Sequence, residues 1–272
     1  MKIYHLNCGT LFPLFPRGTQ SILYCLLIET NDGVLLVDTG FGTQDYTRPT
    51  RFIKFFTASL GMRRSLEETA AFQVEKLGYS KNDVKHIVMT HLHCDHSGGL
   101  RDFPDAKVHV HKLEYEAIQS PKGIKERFYA SEHWSHVPKW VVHEIEEKDD
   151  WFGFCNLRVQ EDLSPDVRLI PLHGHTRGHC GVAIQTSTGW LLHCGDATYP
   201  FYQENEPAPP MKPLPFYVMS PPKWLEASLV GNQTPRLREL YEKHGNEIQF
   251  ICSNDSITYS RQPHESYEQK AS

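Results

Sequence analysis

The chain has 272 residues, enough for one full domain or two small ones. Its 28 Lys and Arg against 33 Asp and Glu give a formal charge of −5, a poor match to a phosphate backbone, so no nucleic-acid partner is expected. With 39% hydrophobic and 22% charged residues the composition is that of a folded globular protein. The longest apolar run, Ile22 to Ile28, falls far short of the roughly 18 residues of a membrane span, so no membrane partner is expected. Met1 to Asn7 lack the apolar stretch of a secretory leader. Seven scattered cysteines without C-x-x-C spacing read as reduced, mostly buried thiols, which together point to a cytoplasmic protein. Histidine stands out at 16 residues, an excess of the commonest metal ligand and proton carrier.

In chain order, Ser21 to Glu29 reads as a strand, Asn31-Asp32-Gly33 as a turn, and Val34 to Val37 as the returning strand. Ser65-Leu66-Glu67-Glu68 has the pattern of a capping box. Leu66, Ala70, Val74 and Leu77 then supply a helical apolar face, and Gly78 stops it. Val84 to Thr90 reads as a strand, His91 to Gly99 as a loop, Val108 to His111 as a strand and Lys112 to Gln119 as a short helix. Residues 120–150 show no clear period. Strands are expected again at Asn156–Gln160, Val167–Leu172, Cys180–Thr186, Trp190–Cys194 and Glu247–Cys252. Residues 199–222, rich in proline and aromatics, read as a long loop or lid, and Lys223 to His244 as a helix capped by Gly245. This mixture predicts one α/β domain over residues 1–272, with two sheets packed face to face and helices outside.

The densest chemistry lies in Thr90-His91-Leu92-His93-Cys94-Asp95-His96-Ser97-Gly98-Gly99, directly after a strand. In an extended segment His91 and His93 point the same way, while Asp95 and His96 diverge as the chain turns. One segment can therefore serve two adjacent cations, with ligand types that suit zinc and related metals. A merely solvated histidine loop would leave the glycine pair and the preceding strand without a common reason. Polar segments follow three other strands: His173-Gly174-His175-Thr176-Arg177-Gly178-His179, Cys194-Gly195-Asp196 and Ser253-Asn254-Asp255.

Taken in order, Val37-Asp38-Thr39-Gly40, His91-x-His93-x-Asp95-His96, Gly174-His175-Thr176-x-Gly178-His179 and Gly195-Asp196 resemble the metallo-β-lactamase superfamily of metal-dependent hydrolases. Within it the chain is most similar to the bacterial branch that includes the N-acyl homoserine lactonases. The resemblance implies an αββα sandwich with the site on one edge. It implies that His91, His93 and His175 hold a first metal, and that Asp95, His96 and Asp196 hold a second, with Asp196 bridging. It makes Asp38 a brace for the metal loops and His179 structural, so that His173 and His179 are decoys. Zn²⁺, one ion or two, is the implied cofactor.

One position departs from the family. A histidine usually follows the last strand, and here Asn254 stands in its place. Three readings remain open: Asn254 ligates through its amide oxygen, it does not ligate and the second metal is weak or absent, or His264 or Asp255 substitutes. A harder amide oxygen favours Mn²⁺ or Fe²⁺ at that second site.

The implied reaction is hydrolysis of a small-molecule ester, lactone or thioester. A metal ion can lower the pKa of bound water to about 7, and Asp95 and Asp196 would serve as the catalytic carboxylates. The narrower alternative is a specific N-acyl homoserine lactonase. The other is a metal-binding protein of this fold with weak or lost hydrolysis, which Asn254 favours. Cys94 and Cys194 neighbour ligands in sequence but are expected to point away from the metals. A tyrosine of the loop from Tyr199 to Trp224 could donate to the oxyanion, or its aromatics could pack the loop or a homodimer contact. His133-Trp134-Ser135-His136 reads as lid or surface packing.

Overall fold

Residues of the strand after Gln20 alternate between two apolar environments, and that alternation builds the layers. The computed structural model describes residues 1–12, 20–122, 125–145, 150–198 and 233–262. Strands β1 (Ile3–Leu11), β2 (Ser21–Thr30), β3 (Gly33–Val37), β4 (Val84–Val88), β5 (Lys107–His111) and β6 (Lys139–His143) form one sheet in chain order. It is antiparallel from β1 to β3 and parallel from β3 to β6. A small hairpin follows, β7 (Asp150–Trp151) with β8 (Phe154–Cys155). Strands β9 (Leu157–Arg158), β10 (Val167–Pro171), β11 (Cys180–Thr186), β12 (Gly189–His193) and β13 (Ile248–Ile251) form the second sheet, ordered β13-β12-β11-β10-β9. The helices are α1 (Thr43–Thr47), α2 (Arg51–Ser59), α3 (Ala70–Lys76), α4 (Cys94–Ser97), α5 (Lys112–Gln119), α6 (Thr234–His244) and α7 (Ser256–Arg261).

On β2, Ile22, Tyr24, Leu26 and Ile28 face the second sheet and pack with Leu169, Val182, Ile184 and Leu191. Leu23, Cys25 and Leu27 face the other way, into a cluster with Ala70, Ala71 and Val74 of α3. On the far side of the second sheet, Ile170 and Leu192 share a cluster with Leu237 and Leu240 of α6. The result is the expected helix–sheet–sheet–helix sandwich. Each fully buried aliphatic side chain contributes about 1.5–3 kcal/mol, so the sandwich supplies a rigid frame for whatever its edge carries.

The site sits where strands end. β3 and β4 run parallel in one sheet, β12 and β13 in the other, and their carboxyl ends open on a common edge. Backbone bonds stitch that edge across the sheets: Cys180 N donates to Thr90 O at 2.9 Å and Tyr24 N to Ser253 O at 2.8 Å. Among the described residues no helix is long and apolar enough to cross a membrane.

Several expected elements shift. Ser65 makes no side-chain cap; Leu66–Glu68 is a 3₁₀ turn, and α3 begins after Thr69, whose hydroxyl accepts from Phe72 N. The reason is long-range. Glu68 is taken by β1, accepting from Thr10 N at 2.7 Å and Thr10 Oγ1 at 2.9 Å, so it cannot reach back to Ser65. Leu66 accordingly leaves the apolar face and is 45% exposed. The segment after His91 is not all loop, since α4 and a 3₁₀ turn at Gly98–Asp102 occupy its second half. The strand expected at 156–160 shortens to Leu157–Arg158. The region 120–150 supplies β6 and 3₁₀ turns at Lys125–Phe128 and Ser131–Trp134. The expected lid at 199–222, and the first ten residues of the helix expected from Lys223, lie outside the described residues.

The displaced cap is testable by chemical denaturation. Thr69→Ala lowers the unfolding free energy by about 1 kcal/mol, whereas Ser65→Ala changes it by less than about 0.5 kcal/mol. Equal losses in both variants would contradict this assignment of the helix start.

Candidate metal centre

Two groups of donors converge on the edge of the sandwich. In the first, ligand atoms of His91, His93 and His175 lie within 4.8 Å of one another; in the second, those of His91, His96 and Asp196 do. His91 belongs to both. His175 Nε2 is 3.0 Å from His93 Nδ1. Asp196 stands between the groups, with Oδ1 3.6 Å from His96 Nε2 and Oδ2 3.5 Å from His175 Nε2. The structure therefore brings five of the sequence-derived candidates into these two groups. Asp95 falls just outside them: its Oδ2 is 4.0 Å from His96 Nε2, and the compact second group takes His91 instead.

Each donor is aimed by a neighbour. Asp38, at the end of β3, adopts φ +55, an uncommon conformation for a residue with a Cβ. Its Oδ1 accepts from Thr90 N at 2.8 Å and its Oδ2 from Thr90 Oγ1 at 2.7 Å. Oδ2 also lies 2.8 Å from His96 Nδ1. A carboxylate only accepts, so His96 carries a proton on Nδ1 and turns Nε2 inward. Because Thr90 Oγ1 donates to Asp38, it accepts from His91 Nδ1 at 3.0 Å, and His91 Nε2 is likewise turned inward. His179 Nε2 accepts from Asp196 N at 3.0 Å, placing it behind Asp196 and outside both groups. Gly195 is needed between them. It has φ +57, and a Cβ there would stand 2.5 Å from His179 Nε2. His173 also stays outside, its ring 4.8 Å from that of His111.

The inward atoms are what a cation would satisfy. His91 Nε2, His96 Nε2 and Asp196 Oδ1 are buried without a hydrogen-bond partner, and leaving such an atom unpaired costs about 1–3 kcal/mol. Burial and the surrounding imidazoles hold His91 well below its ordinary pKa, in the neutral form that ligates. Burial opposes charge on His96, but Asp196, Asp95 and Asp38 outweigh it and raise that imidazole well above its usual range. Burial pushes the Asp95 carboxyl up, while on Asp196 the nearby histidines overcome burial and hold it down. The donor set, the orphaned atoms and the negative potential all fit a divalent metal.

Asn254 Oδ1 accepts from Ser21 Oγ at 2.7 Å, so a lone pair of the amide oxygen is already engaged. Asp255 caps α7, accepting from Thr258 N at 2.8 Å. His264 and the aromatics of the Tyr199–Trp224 loop lie outside the described residues. Cys94 packs with Ile53 and Ala130, and burial pushes its thiol up. Cys194 packs beside Cys252 in the outer cluster of the second sheet. Both are fully buried, so neither is placed as a nucleophile. His133 corrects an expectation. It is neither lid nor surface but completely buried, hydrogen-bonded to Ser97 and Asp45.

Two further residues carry the site without any motif to announce them. Glu114 of α5 is fully buried, and its Oε1 accepts from Leu92 N at 2.9 Å and Tyr129 OH at 2.9 Å. Its Oε2 accepts from Thr176 Oγ1 at 2.7 Å and Gly178 N at 3.1 Å. One carboxylate thus ties the His91–His93 segment to the loop that bears His175. The loop must press on the helix to allow this, since a Cβ at Gly178 would come within 2.0 Å of Glu114 N. His193 closes β12, with Nε2 donating to Tyr24 O at 2.8 Å and Nδ1 accepting from Gly195 N at 3.1 Å. It pins the Asp196 turn to the first sheet. Three other histidines pair with one another away from the site: His86, His109 and His143 form a chain across β4, β5 and β6 with 2.9 Å links, and burial first, then its neighbours' charge, lowers His109 to about 3.

Glu114→Gln keeps the shape but replaces an oxygen acceptor by a donor. It should weaken metal uptake about 10–100-fold and lower stability by about 1–3 kcal/mol, read by metal titration and denaturation of the same preparation. Wild-type affinity in a destabilised variant would reduce Glu114 to a packing role.

The sequence profile of the metallo-beta-lactamase superfamily matches residues 18–231. A probable metallo-hydrolase of Mycobacterium tuberculosis is 38% identical over 263 residues, covering 95% of this chain and 82% of that protein. An N-acyl homoserine lactonase of Bacillus cereus is 28% identical over 179 residues, 65% of this chain and 64% of its own length. Among solved structures, a Bacillus thuringiensis lactonase variant with N-decanoyl-L-homoserine in its active site superposes with TM-score 0.64 at 22% identity, over 95% of each chain. At that identity the likeness is one of fold. The profile match and the mycobacterial relative, set beside the site geometry, lead to one conclusion: the chain belongs to the metallo-β-lactamase superfamily and is a metal-dependent hydrolase.

Proposed function

We propose that this hydrolase cleaves a small ester or lactone carrying an apolar acyl group, at a pair of metal sites. His91, His93 and His175 form one site; His96, Asp196 and Asp95 form the other, with Asp196 between them. The observation that carries the reading is the pair of converging donor groups with three buried, unpartnered atoms turned inward. Three imidazoles at one site and imidazole with carboxylate at the other suit Zn²⁺. When bound, such a cation acidifies water and polarises a carbonyl oxygen.

The chain's own residues supply the rest. Asp196 orients the attacking oxygen from between the two groups. Asp95 stands beside the second group, its Oδ2 4.0 Å from His96 Nε2, where it can take a proton and return it to the departing alkoxide. Beside His93 is an apolar wall. The Phe128 ring lies 5.7 Å from that of His93, Phe56 lies 5.7 Å from Phe128, and Phe52 lies 6.0 Å from Phe56. Phe128 is 41% exposed, a large apolar surface next to donors that must meet a substrate. This wall favours an acylated substrate, and the lactonase relatives make an N-acyl lactone the narrower candidate. The cysteines, none of them bridged, fit a cytoplasmic setting.

A second reading rests on Asn254. With Ser21 on its oxygen, the position that resembles a ligand in the family contributes weakly, and the second metal is held loosely or lost. Steady-state assays of the Zn²⁺-loaded protein on aliphatic lactones, aryl esters and thioesters separate these readings. The main reading expects turnover that rises with acyl length, disappears on chelation and returns with metal. His93→Ala combined with His175→Ala should be inactive and metal-poor. Turnover surviving chelator and double variant would overturn it, and metal content without turnover on the panel would favour the second reading.

A further inference from the structure

Behind α4 lies a buried polar relay whose side chains supply no donor atom to either metal group. Ser97 directly follows His96 and closes the helical turn. Its Oγ is 3.0 Å from His93 O and 3.3 Å from Leu92 O, and 3.1 Å from His133 Nδ1. His133 Nε2 is 3.1 Å from Asp45 Oδ1. Asp45 also accepts from Arg101 at 3.2 Å and, through Oδ2, from Gly42 N at 2.9 Å. Ser97 and His133 are 0% exposed and Asp45 2%.

The order Ser–His–Asp is that of a nucleophilic triad, but a serine with no exposed surface cannot reach a substrate. The same geometry suits a brace. Asp45 only accepts, so His133 carries a proton on Nε2, and this fixes the ring with Nδ1 on Ser97. The turn needs an outside hold. α4 has four residues, and the amides of His96 and Ser97 share one acceptor, His93 O, at 3.0 and 3.1 Å. A helix of one turn has no cooperative stability of its own. The carbonyls Ser97 approaches belong to Leu92 and His93, the stretch that presents the first group, and the residue before Ser97 belongs to the second.

We propose that His133 and Asp45 are positioning residues that, acting through Ser97, set the angle of the Cys94–Ser97 turn and so the spacing of the two metal groups. Asp45 comes from α1 and His133 from the 3₁₀ turn Ser131–Trp134, elements that contribute no donor to either group. The inference rests on reading those groups as metal sites.

The test is titration of metal-stripped protein with Co²⁺, read by visible absorption, alongside thermal unfolding of the metal-free forms. His133→Ala and Asp45→Asn should weaken Co²⁺ binding about 10-fold and alter the absorption bands that report ligand geometry. Ser97→Ala, which deletes a single hydroxyl and keeps the fold if the others do not, should shift both readouts the same way. The double variant His133→Ala with Ser97→Ala should be no worse than the weaker-binding single one, because both act on one path. Variants that lose thermal stability yet bind Co²⁺ with wild-type affinity and spectrum overturn the positioning role alone. A wild-type protein that binds no Co²⁺ overturns the metal reading and this inference with it.

Discussion

Holding His91, His96 and Asp196 together out of water leaves Nε2, Nε2 and Oδ1 without a hydrogen bond, and much of the edge is arranged to sustain that. Three such atoms cost several kcal/mol at about 1–3 each, a large part of the 5–15 kcal/mol that keeps a typical domain folded. Left alone, the donors would turn toward one another or toward solvent. They do not, because their other atoms are committed. Asp38 and Thr90 fix the far nitrogens of His96 and His91, and His179 and His193 hold the Asp196 turn. Glu114 joins the two loops that carry the first group.

That arrangement explains why the sandwich matters to the chemistry. The cluster draws on the ends of β4, β10 and β12, with Asp38 added from β3, and strand ends are displaced little by local fluctuations. The interleaved core of Ile22, Tyr24, Leu26 and Ile28 against Leu169, Val182 and Ile184 fixes the distance between the sheets and so the span from His91 to His175. At the edge the backbone bends to aim side chains, at Asp38 with φ +55, where a Cβ makes it costly, and at Gly195 with φ +57, where glycine permits it.

The layers and most of the site were legible because their signals are local. The continuous apolar run from Ser21, the span of Lys112–Gln119, and the clustered histidines after β4 each sit within a dozen residues of sequence. What stayed hidden depends on contacts across long separations. Glu114 reaches Gly178, 64 residues away, and His193 reaches Tyr24, 169 residues away, with nothing in their own neighbourhoods to mark them. The Ser65 capping pattern failed for the same reason, since Thr10 claims Glu68 across 58 residues. His133 looked like a surface residue because its two partners, Ser97 and Asp45, lie 36 and 88 residues off. Asp95 is subtler. Its place in the motif implied a ligand, and the turn that begins at Cys94 leaves its Oδ2 4.0 Å from His96 Nε2, beside the compact group and not within it.

The central claim is that the two donor groups are adjoining metal sites joined by Asp196. Crystals of Zn²⁺-loaded protein, with diffraction recorded on either side of the zinc absorption edge, test it most directly. The account predicts two anomalous peaks roughly 3.5–4 Å apart, one among His91, His93 and His175 and the other beside His96, with Asp196 contacting both. Zinc bound only elsewhere on the protein, with these side chains left as they are, would contradict it.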